Sequence, residues 1–167
     1  AIVAGGCSHA LVVTGSNWTR HVDYRRGHAQ AIGDGAGAAV LAAGGALRLV
    51  DHHTRTFGWA YTSMTMAVRP RHALDWAGIP VGKDGNPAPT YLLESDSGVE
   101  VYQTIMRDGL PDLVGELLDR NGITGADVSL ITHQGSRALL DHWSARLRPA
   151  AYLETLETFG NLTHSTY

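Results

Sequence analysis

A short apolar run that ends in two polar residues is the feature that most restricts the fold of this chain. Residues 128–132 follow a turn-forming stretch and predict a buried strand. His133 and Gln134 come directly after it, and a helix is predicted to begin near Ser136. A strand that leads into a helix indicates an α/β fold, and open α/β sheets hold their chemistry at the carboxyl ends of the strands. We therefore expect His133 to lie at a functional site.

A second polar residue, Asn161, follows Gly160 further along the chain. The N–H of a neutral imidazole and the amide group of asparagine are both hydrogen-bond donors. If His133 and Asn161 point at one place, they hold the oxygen of a thioester or an enolate while negative charge develops there. The alternative interpretation is a capped strand end and an ordinary asparagine in a turn.

These motifs resemble the β-ketoacyl-acyl carrier protein synthase III branch of the thiolase superfamily. In that family a His-Gln-Ala-Asn stretch follows a strand, and a Gly-Asn-Thr-Ser stretch comes later. Here residues 133–136 read His-Gln-Gly-Ser and residues 160–163 read Gly-Asn-Leu-Thr. Three further matches are Arg-Gly at 26–27, Gly-Asp-Gly-Ala-Gly at 33–37 and Gly-Val-Glu-Val-Tyr at 98–102. The resemblance covers nearly all of this chain but only about half of a family member.

The resemblance implies that the chain is part of a thiolase-like αβαβα layered fold, in the α/β class. Residues 1–62 would be the end of the amino-terminal half, and residues 91–167 would form most of the carboxyl-terminal half. Residues 63–90 hold four of the six prolines and predict a long loop excursion between the halves.

Apolar patterning supplies the remaining secondary-structure predictions. Strands are predicted at residues 10–15, 38–41, 47–50 and 57–61, and the first of them, a compact apolar run, is expected to be fully buried. Residues 98–121 carry helical periodicity, which Gly109 interrupts and which Pro111 restarts as a second helical segment. The glycines at 33–37 do not predict a dinucleotide site, because such a site needs a helix after the glycines and a strand follows them here. We interpret them as structural.

The resemblance implies an acyltransferase in which a thiolate takes an acyl group from an acyl-CoA or acyl-carrier-protein thioester. In the condensing reaction a malonyl thioester then loses carbon dioxide, and His133 and Asn161 stabilise the enolate oxygen. No metal or other cofactor is implied, and family members pair as homodimers. Substrate-binding roles are implied for Arg26 at the adenine end of coenzyme A, and for Gly98 and Tyr102 at the acyl channel. A solvated basic loop and a core aromatic are the alternatives for Arg26 and Tyr102.

The nucleophile expected from the resemblance is a cysteine at a helix amino terminus, where the helix dipole favours the thiolate. Cys7 is the only cysteine of the sequence, and it precedes a predicted strand instead. We interpret Cys7 as structural and expect the reactive cysteine upstream of Ala1.

Several positions depart from the family pattern. Ser136 replaces the usual asparagine, the following arginine is displaced to Arg137, and His164 stands where a small residue is usual. These changes favour specialised biosynthesis over housekeeping fatty-acid synthesis. Two alternatives stay open: acyl transfer to a hydroxyl or amine with His133 as general base, and a non-catalytic partner subunit of the same fold.

Composition limits the partners and the compartment. The chain is 44% hydrophobic and 17% charged, which is typical of a globular protein. Its net charge of −3 argues against a nucleic-acid partner. No apolar run approaches the roughly 20 residues of a membrane helix, and no signal peptide is visible. We therefore expect no membrane partner and a cytoplasmic location, which the single cysteine also fits.

Overall fold

A computed structural model describes residues 6–22, 24, 30–44, 47–61, 64–68, 89–93, 98, 101 and 103–165. Within these residues the strands pair two by two into three small sheets. In chain order the strands and α-helices are β1 (His9–Ser16), β2 (Gly35–Ala42), β3 (Met64–Val68), β4 (Pro89–Leu93), α1 (Leu110–Arg120), β5 (Ser129–Ile131), α2 (Arg137–Leu147), β6 (Ala151–Leu153) and α3 (Leu156–Phe159). None of the described helices is both long enough and apolar enough to cross a bilayer.

Strands β1 and β2 form an antiparallel hairpin, so the strands predicted at residues 10–15 and 38–41 are confirmed. The prediction that β1 is buried is wrong, because Leu11 is 68% exposed and Val13 is 63% exposed. Among the described elements the 3-10 turn Thr163–Ser165 is the main packing partner of this hairpin, and it lies at one end of it. The glycines of residues 33–37 lead into strand β2 and not into a helix. This agrees with the interpretation that these glycines have a structural role and do not bind a dinucleotide.

The predicted loop at residues 63–90 is wrong at both of its ends. Strands β3 and β4 pair there as antiparallel partners, with Met64 opposite Leu93 and Val68 opposite Pro89. Proline density misled the prediction, because Pro89 occupies the first position of a strand, where a missing N–H is tolerated. Residues 69–88 lie outside the described part of the chain.

The apolar runs at residues 47–50 and 57–61 do not form the predicted strands. The first run has no regular structure, and Gly58–Ala60 is a 3-10 turn. Side chains fix the segment between the runs, since Asp51 accepts a hydrogen bond from Arg120 of α1 at 2.8 Å. Among the described residues, this segment is held by ion pairs to a helix and not by backbone hydrogen bonds to another strand. The spacing of apolar residues in the sequence does not reveal such ion pairs.

The predicted break in the helix of residues 98–121 is a change of hydrogen-bond pattern. Gln103–Gly109 is a π-helix that continues directly into α1, with Pro111 in the first turn. Proline is tolerated there because the first N–H groups of an α-helix have no partner within it. Helix α1 ends at Arg120 with Asn121 as its carboxyl cap, and Gly122 follows with φ +67°. The predicted restart and stop are both confirmed.

Trp143 connects helix α2 to the π-helical segment. Its indole is fully buried, and Nε1 donates to the carbonyl oxygens of Met106 at 2.9 Å and Arg107 at 3.0 Å. Leu140, one turn earlier on the same helix, is also fully buried. These two side chains anchor α2 in the structure.

Strands β5 and β6 are parallel, with Ser129 opposite Ala151, and helix α2 forms the crossover between them. Ser136 caps this helix, because its Oγ accepts from the backbone N–H of Leu139 at 3.3 Å. Arg148 ends it in the left-handed conformation, directly before Pro149. The predicted strand at residues 128–132 and the helix start near Ser136 are thus confirmed.

Candidate active site

His133 lies two residues beyond the end of β5 and is half-buried. Its Nδ1 is 3.3 Å from the carbonyl oxygen of Thr163, a residue that is remote in sequence. The same strand end is fixed on its other side, because the hydroxyl of Thr132 contacts the phenol of Tyr152 on β6 at 2.7 Å. The imidazole is therefore held both by its own strand and by the carboxyl-terminal turn.

Asn161 is 8% exposed and is held through its backbone and its side chain. Its N–H donates to the carbonyl of Ala31 at 2.6 Å, and its carbonyl accepts from the N–H of Gly33 at 2.9 Å. Gly160 makes this approach possible, because its φ is +71° and a Cβ there would lie 2.5 Å from the Ala31 oxygen. The glycine-rich segment thus forms one wall against which Asn161 rests.

Thr163 brings the two predicted donors together. Its N–H donates to Oδ1 of Asn161 at 2.9 Å, which is an Asx turn, while its carbonyl contacts His133. Because both side chains touch one residue, bond lengths limit the separation of their contacting atoms to about 10 Å. Thr163 has φ +55°, a left-handed conformation that is rare for a β-branched residue. Such strain is found preferentially at functional sites.

The Thr163 contact decides which nitrogen of His133 carries the proton. A carbonyl oxygen only accepts hydrogen bonds, so Nδ1 donates and, in the neutral ring, Nε2 keeps a lone pair. Burial lowers the pKa of His133, and the Thr163 carbonyl opposes this effect to a smaller extent. In this geometry the neutral imidazole offers an acceptor at Nε2 and not the N–H donor that the sequence led us to expect. Asn161 differs, because with Oδ1 engaged its Nδ2 donor group faces the other way.

The chain is similar to known proteins in both sequence and fold. The model of the family 3-oxoacyl-[acyl-carrier-protein (ACP)] synthase III matches residues 1–58. A β-ketoacyl-[acyl-carrier-protein] synthase III of Campylobacter curvus is 25% identical, over 99% of this chain and 48% of that protein. Two solved structures, the priming β-ketosynthase of the R1128 polyketide biosynthetic pathway and the 3-oxoacyl-(acyl carrier protein) synthase III of Pseudomonas aeruginosa PAO1, give TM-scores of 0.69 and 0.63 at 21% and 23% identity. The chain is synthase III-like.

Both structural matches cover 99% of this synthase III-like chain and 48% of the solved chain. The chain therefore spans about half the length of the relatives that it matches. The predicted fold class, part of a thiolase-like α/β layered fold, is confirmed by these matches.

The other predicted site residues differ in what the structure describes of them. Arg26 and Tyr102 lie outside the described residues, so their predicted substrate contacts stay predictions. Gly98 is helical and buried. Cys7 is exposed and precedes β1, which is not the helix amino terminus that activates a thiolate. Arg137, the displaced arginine, forms ion pairs with Glu154 and Glu157 beside helix α3.

Two residues of the site were missed by sequence reasoning as functional positions. Thr163 acts through its backbone, which no side-chain pattern reveals. Gln134 is completely buried although it is polar, and its place directly after His133 was the only available signal. Within the part of the chain that the structure describes, no three His, Cys, Asp or Glu side chains are arranged to hold a metal ion. The described site thus consists of the uncharged side chains of His133, Gln134 and Asn161 together with the backbone of Thr163.

Proposed function

We propose that the protein containing this chain transfers an acyl group from an acyl-CoA or acyl-carrier-protein thioester through a cysteine outside the chain. The observation that carries the proposal is the meeting of His133 and Asn161 at Thr163. The cysteine thiolate attacks the thioester carbonyl carbon, the carrier thiolate leaves, and an acyl-cysteine forms. The second substrate then takes the acyl group and releases the cysteine thiolate.

The first candidate for the second step is decarboxylative condensation. A malonyl thioester loses carbon dioxide, and its enolate carbon attacks the acyl-cysteine carbonyl to form a carbon–carbon bond. The Nδ2 group of Asn161 donates to the enolate oxygen, where a fixed neutral donor in a dry site is most effective. The similarity to a β-ketoacyl synthase and to a priming ketosynthase supports this reaction, and the polyketide pathway of the latter supports a role in specialised biosynthesis.

The second candidate is transfer of the acyl group to a hydroxyl or an amine. It is favoured by the Nδ1–H tautomer of His133, because Nε2 is then a hydrogen-bond acceptor and a base. The acceptor proton moves to Nε2 while the oxygen or nitrogen attacks the acyl-cysteine carbonyl. The imidazolium then releases this proton, which balances the carrier thiolate set free in the first step, and the cysteine is left as a thiolate. In a condensation His133 would have to turn over to the Nε2–H tautomer to donate to the enolate, which would break the Thr163 contact.

The finer assignments extend this proposal. Arg26 binds the adenine end of coenzyme A, and Gly98 and Tyr102 form part of the acyl channel. Residues 1–62 and 91–167 belong to the two halves of a thiolase-like protein that forms a cytoplasmic homodimer. No metal or redox cofactor takes part.

Substitution of the two site residues in the full-length protein tests the proposal. Asn161→Ala should lower kcat by about 10²–10³, because an oxyanion donor is lost. His133→Ala should lower kcat by about 10²–10⁴, because a general base or a donor is lost. His142→Ala is a matched histidine control, since this side chain contacts Asp108 on the π-helix, and it should leave kcat unchanged. Wild-type turnover in both site variants would remove the pair from the mechanism.

The products distinguish the candidate reactions. The full-length protein is incubated with an acyl-CoA, a labelled malonyl thioester and a panel of small alcohols and amines. Release of labelled carbon dioxide with a β-ketoacyl product supports condensation, whereas an ester or amide without carbon dioxide supports the second candidate. Intact-mass measurement that finds no acyl adduct on the full-length protein would instead indicate a non-catalytic partner subunit.

A further inference from the structure

Gln134 is a completely buried side chain that bonds to backbone on both sides of the site. Its Nε2 donates to the carbonyl of Thr132 at 3.0 Å. Its Oε1 accepts from the backbone N–H groups of Thr155 at 3.0 Å and Leu156 at 3.2 Å. These three bonds use one donor and both acceptor positions of the carboxamide, as burial of a polar group requires. The residues before and after His133 are therefore both fixed by one side chain.

Helix α3 receives its amino-terminal cap from Gln134 and not from its own sequence. Thr155 occupies the cap position but makes no capping bond with its side chain, and its Oγ1 is buried without a hydrogen-bond partner among the described residues. The first N–H groups of a helix have no acceptor within the helix. Oε1 of Gln134 supplies that acceptor from a different part of the chain.

Helix α3 is a single turn, so the residue that fixes its start also fixes its end. It spans Leu156–Phe159, and the N–H of Gly160 donates to the Leu156 carbonyl at 2.9 Å. Asn161 follows immediately, and its own N–H is bound to the Ala31 carbonyl. Asn161 is thus held from two directions, by the capped helical turn and by the glycine-rich segment.

We propose that Gln134 is a positioning residue that sets the distance between His133 and Asn161. Its carboxamide ties the strand end that carries the imidazole to the helical turn that carries the asparagine. The inference rests on the proposed function for the reaction that it serves, but the geometry that it sets is measurable without turnover. Displacement of a reacting group by about 1 Å can lower a rate by about 100-fold.

A carboxamide makes all three of these contacts without carrying a charge. Ionised glutamate keeps the two acceptor contacts to α3, but it has no donor for the Thr132 carbonyl and would bury a charge. Methionine has a similar length and loses all three bonds. Graded damage is therefore expected, with Gln134→Met more severe than Gln134→Glu at the α3 cap.

Gln134→Met in the full-length protein should lower kcat by about 100-fold with little change in KM. Gln103→Met, at an exposed glutamine of the π-helix, is the matched control and should leave kcat unchanged. Thr155→Val removes a buried hydroxyl that has no hydrogen-bond partner among the described residues, and it keeps all the Gln134 bonds, so it should also leave kcat unchanged. Equal turnover of Gln134→Met and wild type would overturn the proposal.

The tautomer of His133 gives a second measurement that does not depend on the reaction. In ¹⁵N-histidine spectra the wild-type ring should show a protonated Nδ1 and an unprotonated Nε2, assigned by the loss of these signals in His133→Asn. Gln134→Met should mix the tautomers, because the ring is no longer held against Thr163, while Thr155→Val should not. If Gln134→Met does not fold, Gln134→Glu keeps the α3 cap and should still alter the ring signals. Wild-type ring signals in the folded Gln134 variant would contradict positioning even if the wild-type protein transfers no acyl group.

Discussion

The region around the candidate site and the amino-terminal hairpin are stabilised in opposite ways. Around the site (residues 128–165), two carboxamide side chains are buried and hydrogen-bonded, Gln134 at 0% and Asn161 at 8% exposure. In the hairpin β1–β2, apolar side chains face outward, with Leu11 at 68% and Val40 at 67% exposure. The hairpin has a complete backbone ladder but few side-chain partners within the described residues.

The difference teaches which contacts define a geometry. A buried carboxamide has to meet its partners at fixed distances and directions, so Gln134 and Asn161 each restrict several backbone segments at once. An exposed valine or leucine on a two-stranded ladder restricts only its neighbours in register. The site region therefore has a geometry that single substitutions should disturb strongly, and the hairpin has one that they should disturb weakly.

Trp143→Ala gives the largest expected effect in this comparison. The indole is fully buried and bonded to two π-helix carbonyls, so we expect a loss of about 3–5 kcal/mol in the free energy of unfolding. Val13→Ala, at a side chain that is 63% exposed, should stay within about 0.5 kcal/mol. Urea unfolding of the full-length variants measures both values. A Val13→Ala cost close to that of Trp143→Ala would break the comparison, because it would mean that the hairpin is covered in the full-length protein.

Much of the site region could be predicted because its signals are local. The apolar run before His133 and the helix start at Ser136 each depend on neighbours within one or two helical turns. Such short-range rules hold whatever the rest of the fold does. The pairing of His133 with Asn161 came from the family resemblance, since no local rule brings together residues that far apart in sequence.

The rest could not be predicted because it depends on distant partners. Thr163 adopts φ +55° against the preference of a β-branched residue, held by contacts to Asn161 and His133. That reversal of preference also changed the role of the imidazole, from the expected donor to an acceptor at Nε2. The strand predicted at residues 47–50 failed for a related reason, because ion pairs to α1 fix the neighbouring segment.

The pH dependence of stability also distinguishes the site region from the hairpin. The expected effect is of intermediate size, because it comes from the ionisation of one side chain. Burial lowers the pKa of His133 in the folded state below the unfolded value of about 6.5. The folded protein thus binds fewer protons, so this contribution is complete above pH 6.5 and is lost as the pH falls from 6.5 towards the folded pKa. In His133→Gln the urea midpoint should change less with pH over that interval. In His9→Gln, a substitution in the hairpin, the pH dependence of the midpoint should be that of the wild type. An unchanged slope in His133→Gln would show that the ring is solvated.

The smallest expected effect lies outside both regions, in the segment that ion pairs hold to α1. Glu116 accepts from Arg55 at 2.7 Å and contacts His53 at 2.9 Å, and these partners, Arg55 first, lower the pKa of its carboxyl group. Because the pairs are exposed and screened by salt, Glu116→Gln should change global stability very little. It should instead increase amide hydrogen exchange locally, in residues 51–57, and added salt should produce the same increase in the wild type. Glu157→Gln, at another exposed carboxylate paired with an arginine, is the control and should leave exchange in residues 51–57 unchanged. If hydrogen exchange in residues 51–57 responds neither to Glu116→Gln nor to salt, the ion pairs do not hold this segment. Its exposed apolar side chains would then be covered by another part of the full-length protein.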